Sequence, residues 1–355
     1  MKIAINKSFV FSLFLTSLVC LSFSVQSEEG SDIQSVQAEQ EKQVDQESND
    51  SALPDKPKEI FVGAYINDIH EVDLNSHSYP GDIYIWFRWK DTEMRPNKSF
   101  EFMNLHDPEA HIQTDLYEEP EVMEADSSLY NAIRHQGAFS SKMPLSKYPF
   151  DSQVLQFVIE DAEYGEETAH YVADKEGLTI NSDVTLPGYE IGKPRMIIKS
   201  KPYPTTFGDL NNPETGSYSR VIFEVPISRP WQFGVFKLIL PIILIVICAG
   251  LALLIDPTHT EGRIGLVITA LLTLVAMQIT TGGSLPEVSY LMLLDWVYIF
   301  SYSFILLVLA QVVHGSWQDE KIDMVKAARS DKRSLAMAIL AFIGSLLFIF
   351  MHYLR

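Results

Sequence analysis

Four apolar segments fill the last third of this 355-residue chain, roughly Lys237 to Ile255, Ile264 to Thr281, Tyr290 to His314 and Ser334 to Tyr353. Each is close to the ~20 residues that a helix needs to cross a bilayer. In hydrocarbon every backbone N–H and C=O must be satisfied within the segment itself, so runs of this length fold as helices. The residues ahead of them are far more polar, and the chain therefore divides into two parts with different solvents. With 47% hydrophobic residues gathered in this way, it reads neither as a purely soluble protein nor as a many-span transporter.

The orientation follows from both ends of the pattern. Lys2 and Lys7 precede an apolar run from Phe9 to Phe23, the charge-then-apolar order of a secretory signal peptide over 1–27 with cleavage expected after Ser27. Residues 28–57 are rich in Glu, Asp, Gln and Ser with nothing periodic, and are expected to be a disordered acidic leader. An exported N-terminus and four spans put the two short connections near Asp256 to Arg263 and Gly315 to Arg333 in the cytoplasm. These hold Arg263, Lys321, Lys326, Arg329, Lys332 and Arg333, whereas Gly282 to Ser289 has no Lys or Arg. That bias agrees with a multi-pass protein of the cell (inner) membrane whose N-terminal domain is outside. Removal of the signal leaves Cys248 as the remaining cysteine, so no intrachain disulfide is expected.

From Lys58 to Trp231 the texture is one of short alternating strands between Pro, Gly and Asn clusters, as in Asp82-Ile-Tyr-Ile-Trp-Phe-Arg-Trp and Val154-Leu-Gln-Phe-Val-Ile. Over this length the pattern predicts an extracellular all-β sandwich, 58–231, ahead of a four-helix transmembrane bundle, 232–355. No His-Cys or paired-His spacing suggests zinc, no Gly-rich loop follows a strand, and no nucleophile elbow is present, so neither an enzyme nor a cofactor is indicated. The formal net charge of −19 argues against nucleic acid and suits a surface that concentrates cations. Acidic runs at Glu118-Glu119-Pro120-Glu121 and Glu163 to Glu167 could bind calcium or sense pH, although such runs are usually just solvated.

Within the second span, Gly265, Thr269, Leu272, Ala276, Ile279 and Gly283 recur every third or fourth residue and share one helix face. Small and hydroxyl groups along a single stripe suit the lining of a narrow aqueous path. Small-residue packing between membrane helices explains the same stripe equally well.

Further motifs carry a resemblance. Lys147-Tyr-Pro-Phe-Asp-Ser-Gln looks like the signature loop at the base of the outer domain of the pentameric ligand-gated ion channels, the Cys-loop receptor superfamily. Ile227-Ser-Arg-Pro-Trp leading into a first span with Pro241, the Leu285-Pro286 pair and the short connection between the third and fourth spans also match, most closely the prokaryotic members. The chain lacks the cysteine pair of the eukaryotic receptors, so Pro149 and packing must hold the loop. The resemblance implies a five-fold symmetric homopentamer in a lipid bilayer, opened by a small extracellular ligand and passing monovalent cations. It places Tyr84 on one side of a ligand pocket and Tyr203 or Phe207 and Tyr218 on the other. Ala162 stands where an aromatic is expected, flanked by Glu160 and Tyr164. An amine, a proton and a divalent cation all remain open as the stimulus.

In such a ring each pore residue appears once per subunit, so one side chain can set a constriction. Leu272 would close the path by dewetting and Ile279 would form a second apolar ring. Glu261, just below the stripe, would give a carboxylate ring that favours cations, with Arg263 as the competing charge. The resemblance further implies that Asp151 and Arg229 pair where the sandwich meets the helices, with Pro286 touching the signature loop. An anion-selective channel of the same fold and a non-conducting membrane receptor are the alternatives.

Overall fold

The computed structural model describes residues 56–208, 216–316 and 324–353; the expected signal peptide, the acidic leader up to Asp55 and Lys321 lie outside the described residues. The alternating sequence of the first half forms eleven strands among the described residues: β1 Lys58–Ile69, β2 Ser78–Trp89, β3 Phe100–Phe102, β4 Ile112–Asp115, β5 Glu121–Val122, β6 Leu129–Ser140, β7 Ser152–Asp161, β8 Ala169–Ile180, β9 Glu190–Ile191, β10 Arg195–Pro202 and β11 Ser217–Ser228. One sheet runs β4-β6-β2-β1-β8 with β5 added to β6; the other runs β10-β11-β7-β3 with β9 added to β11. Most neighbours are antiparallel, but β1 and β8 are parallel.

Strand alternation explains why the sheets stack. Ile83, Ile85, Phe87 and Trp89 of β2 all point inward, and Leu155, Phe157 and Ile159 of β7 with Val221, Phe223, Val225 and Ile227 of β11 supply the opposing layer. Each such side chain contributes about 1.5–3 kcal/mol when fully buried, which makes this cluster the main support of the outer domain.

Four helices follow: α1 Phe233–Leu254, α2 Thr260–Gly282, α3 Leu293–Ser316 and α4, Met324–Tyr353, apolar from Arg329 onward. α1 opens as a π-helix over Phe233–Ile239, in which the Leu240 N–H reaches back to the Val235 carbonyl. The wide turn sits just before Pro241, whose missing N–H interrupts the ordinary ladder. α1 begins four residues before the expected Lys237 because the Lys237 ammonium lies over the Phe233 ring at 5.1 Å, so the charge is accommodated within the helix. α4 starts ten residues before Ser334, since hydropathy marks the lipid-facing part of a helix and not its charged first turns. α3 starts at Leu293 instead of Tyr290. Tyr290 serves the sandwich: its hydroxyl accepts the Leu145 N–H over 2.8 Å.

Candidate functional site

The packing of α2 divides its surface into two faces. Arg263, Val267, Ala270 and Leu274 are buried against the rest of the bundle. At about 100° per residue, Gly265, Thr269, Leu272, Ala276 and Ile279 fall on the opposite side, and all five are exposed. Leu272 and Ile279 are 64% and 69% exposed, so no neighbour within the chain covers these large apolar groups. The stripe is therefore not used for packing within the subunit. Between Gly265 and Ile279 the helix rises about 21 Å, most of the hydrocarbon thickness. Thr269 donates its hydroxyl proton to the Gly265 carbonyl over 2.8 Å, which leaves its oxygen as an acceptor.

The two charges at the foot of α2 part company. Glu261 is exposed in the first helical turn and shares the angular position of the stripe, where the positive end of the helix dipole favours a carboxylate. Arg263 is turned half-way round the helix and is buried. Its Nη2 lies 2.7 Å from Asp331 Oδ2 of α4, its Nε donates to the Ala252 carbonyl over 2.8 Å, and Gln311 of α3 donates to Asp331 Oδ1 over 3.0 Å. The sequence offered Asp331 as one acid among the lysines and arginines of a polar connection; nothing in that pattern marks it as the partner of Arg263.

At the other end of the bundle the signature loop enters the helices. Leu145 and Tyr148 belong to the apolar cluster of the helices and not to the sandwich core. The Leu293 and Leu294 N–H groups bond to the Ser146 and Tyr148 carbonyls, and the Phe150 ring stands 5.7 Å from Phe350 at the end of α4. Gly234 at the start of α1 permits this approach, since a Cβ there would lie 2.9 Å from both Phe150 and Pro149. The Tyr148–Pro149 peptide is cis. Asp151 and Arg229 meet at the rim of this loop: Arg229 Nε donates to Asp151 Oδ1 over 3.0 Å and Nη2 donates to the Tyr189 hydroxyl over 2.6 Å. Burial is the main reason that the Tyr148 and Tyr189 hydroxyls are harder to ionise than usual, and both remain neutral partners. Pro286 is half-buried in the α2–α3 connection, whose hydrogen bonds to the loop come instead from Tyr290 and the first residues of α3.

The aromatic residues form a partial cluster. Tyr203 packs edge-on against Phe207 at 5.3 Å and against Tyr218 at 5.8 Å. Glu160 lies beneath, buried, accepting from the Tyr203 hydroxyl over 2.7 Å and paired with Arg220. Desolvation, and then the Glu160 charge, push the Tyr203 hydroxyl above its ordinary range. Tyr164 belongs elsewhere: it packs on the sandwich core, and its hydroxyl accepts the Arg95 N–H over 3.2 Å. Tyr84 lies on β2, in the other sheet, with the Arg134 guanidinium 5.3 Å from its ring centre. Arg220 was not foreseen, because an arginine on a β-strand carries no periodic signal of its partner. Among the described residues no group of three or more metal-ligating side chains is present.

The chain as a whole is similar to known proteins. The family model for the neurotransmitter-gated ion-channel transmembrane region matches residues 238–348. A proton-gated ion channel of Gloeobacter violaceus is 21% identical over 85% of this chain and 85% of its own length. A gamma-aminobutyric acid receptor subunit beta of Lymnaea stagnalis is 27% identical, over 54% of this chain and 38% of its own, so the chain spans well under half of that relative. A glutamate-gated chloride channel subunit beta of Haemonchus contortus is 24% identical over 81% of this chain and 71% of its own. The order of an N-terminal β-domain and four membrane-long helices is that of a multi-pass membrane channel with an extracellular first domain. With that architecture and these matches together, the chain is similar to the pentameric ligand-gated ion channels, and its membrane region matches the neurotransmitter-gated ion-channel family model.

Proposed function

We propose that five copies of this chain form a cation-selective channel, with 58–231 as the extracellular ligand-binding domain and 232–355 as the channel domain. The observation that carries the sign of the ion is the opposite placement of the two charges of α2: Glu261 on the side of the exposed stripe, Arg263 buried against α4. Residues 260–283 hold no other charged side chain, so five carboxylates stand alone at the inner mouth. Narrow low-dielectric walls strengthen their attraction for a passing cation. The Thr269 hydroxyl, its proton held by the Gly265 carbonyl, acts in the same direction as an acceptor.

Closure is assigned to Leu272, with Ile279 as a second apolar ring, each stopping ions by dewetting when the five α2 helices approach. Ligand binding is assigned to the interface at which Tyr203, Phe207, Tyr218 and Glu160 of one subunit face Tyr84 of the next. Movement there reaches α2 through the Asp151–Arg229 pair, the signature loop and the α2–α3 connection that contains Pro286. Reversal potentials of the purified protein in a planar bilayer under a sodium chloride gradient test the selectivity. A value near the cation limit supports the reading, and a value near the chloride potential overturns it. A pH series, calcium and primary amines applied to the same bilayer identify the stimulus.

A further inference from the structure

We propose that Asp331, on the outermost helix and away from the ion path, is a specificity-determining residue of the pore: it holds Arg263 out of the inner mouth and so leaves Glu261 unopposed there. The inference rests on the cation-selective reading above. Three facts carry it. First, Arg263 lies in the first turn of α2, where the positive end of the helix dipole repels a cation, so its place is not set by its own helix. Second, every anchor of the guanidinium comes from elsewhere in the bundle: the Asp331 carboxylate at 2.7 Å and the Ala252 carbonyl at 2.8 Å, with Gln311 orienting the second carboxylate oxygen. The side chains of the pair are only 3% and 6% exposed. Third, the alternative position is vacant within the chain, because a Cβ on Gly262 or on Gly265 would meet nothing within 4 Å.

A buried guanidinium that loses its carboxylate is left as an uncompensated charge, and that state is relieved by moving to water. Gly262 and Gly265 offer no side chain to block a path from that buried position to the mouth. Five arginines arriving there would face the five Glu261 carboxylates and cancel the attraction for cations. Asp256, in the α1–α2 connection, also feels the Arg263 charge, but it is exposed and holds no hydrogen bond to it. α4 thus acts on selectivity as a positioning element while α2 alone contacts the ions.

The test compares reversal potential and single-channel conductance for the native pentamer, Asp331→Asn, Asp331→Glu and the double variant Arg263→Gln/Asp331→Asn. Asp331→Asn is expected to shift the reversal potential toward zero and to cut the cation conductance several-fold. Asp331→Glu, which keeps the charge, should remain close to native, and the double variant should regain cation preference. A purely structural role for Asp331 would alter expression or melting in these variants and leave the reversal potential where it was. An Asp331→Asn channel with native reversal potential overturns the proposal, as does a double variant that stays non-selective with no guanidinium left to blame. If Asp331→Asn does not assemble alone, mixed pentamers with native subunits decide: reversal must move with the fraction of variant subunits, and a fixed value overturns the proposal. A native channel that prefers chloride instead removes the underlying reading of selectivity, a result distinct from any failure of Asp331.

Discussion

The guanidinium of Arg229 donates to Asp151 across 3.0 Å and is simultaneously walled by the rings of Tyr148, Tyr189 and Phe233, whose centres lie 4.6–5.2 Å away. Asp151 belongs to the signature loop, Arg229 to the chain just before α1, and Phe233 to the first turn of α1. One cation therefore ties three segments together at the border of the two domains. Asp151→Asn is expected to cost about 3 kcal/mol of stability, because the arginine then stays buried without a counter-charge. Thermal unfolding in detergent measures that loss. If the pair also transmits gating, the surviving channels need more stimulus for half-maximal opening.

Leu272→Thr is expected to make the channel easier to open. A ring of hydroxyls stays wetted at a width where a ring of leucines dries, so the closed state loses its barrier. The stimulus-response curve should move to lower concentration or a standing current should appear; a shift to higher concentration would remove Leu272 as the gate.

Glu261→Gln should move the reversal potential toward zero in a sodium chloride gradient. The substitution preserves the size of an exposed side chain, so melting is expected to stay within about 0.5 kcal/mol of native. Full cation preference in this variant would assign the filtering to the acidic outer domain.

The outer domain should lose stability as the pH falls from 6.5 towards 4. His135 is buried against Phe102 and Phe139 and shares a 2.8 Å hydrogen bond with His111, and burial followed by the His111 charge lowers its pKa from 6.5 to about 4. His111 is lowered too, chiefly by burial, against the opposing effects of its hydrogen bond with the Ala138 backbone and of the Asp107 charge. In this window the unfolded chain takes up protons that the folded histidine refuses, so stability is complete above the unfolded pKa and declines below it. Melting temperatures of native protein and His135→Phe across this range check the sign: the variant should fall less steeply, and parallel curves would dismiss His135 as a contributor.

Tyr203→Phe removes the hydroxyl that donates to Glu160 while keeping the ring against Phe207 and Tyr218. Loss of one hydrogen bond to a charged acceptor costs about 1.5–3 kcal/mol where the acceptor is buried. If the cluster receives the agonist, the half-maximal concentration should rise with little change in the fully activated current; an unaltered curve would place the agonist elsewhere.

The second span shows how far a sequence reaches. The period of Gly265, Thr269, Leu272, Ala276 and Ile279 placed them on one face, since helix geometry alone relates residues three and four apart. Whether that face was packed or open could not be read from the period, because small residues serve both purposes. The packing of Val267, Ala270 and Leu274 on the other side leaves that face uncovered within the subunit.

What the sequence by itself determined is therefore what short-range physics controls: four membrane-length helices from hydropathy, their orientation from the distribution of Lys and Arg, a β-domain from alternation, and the helical face of each pore candidate. Only the tertiary structure decided the partners. Asp331 meets Arg263 across 68 residues, Arg220 meets Glu160 across 60 and Arg229 meets Asp151 across 78. Of these pairs only Arg229 with Asp151 could be anticipated, and then only by resemblance. A charge signals in the sequence that it needs a counter-charge, but which one it finds depends on how distant segments come together in the folded chain.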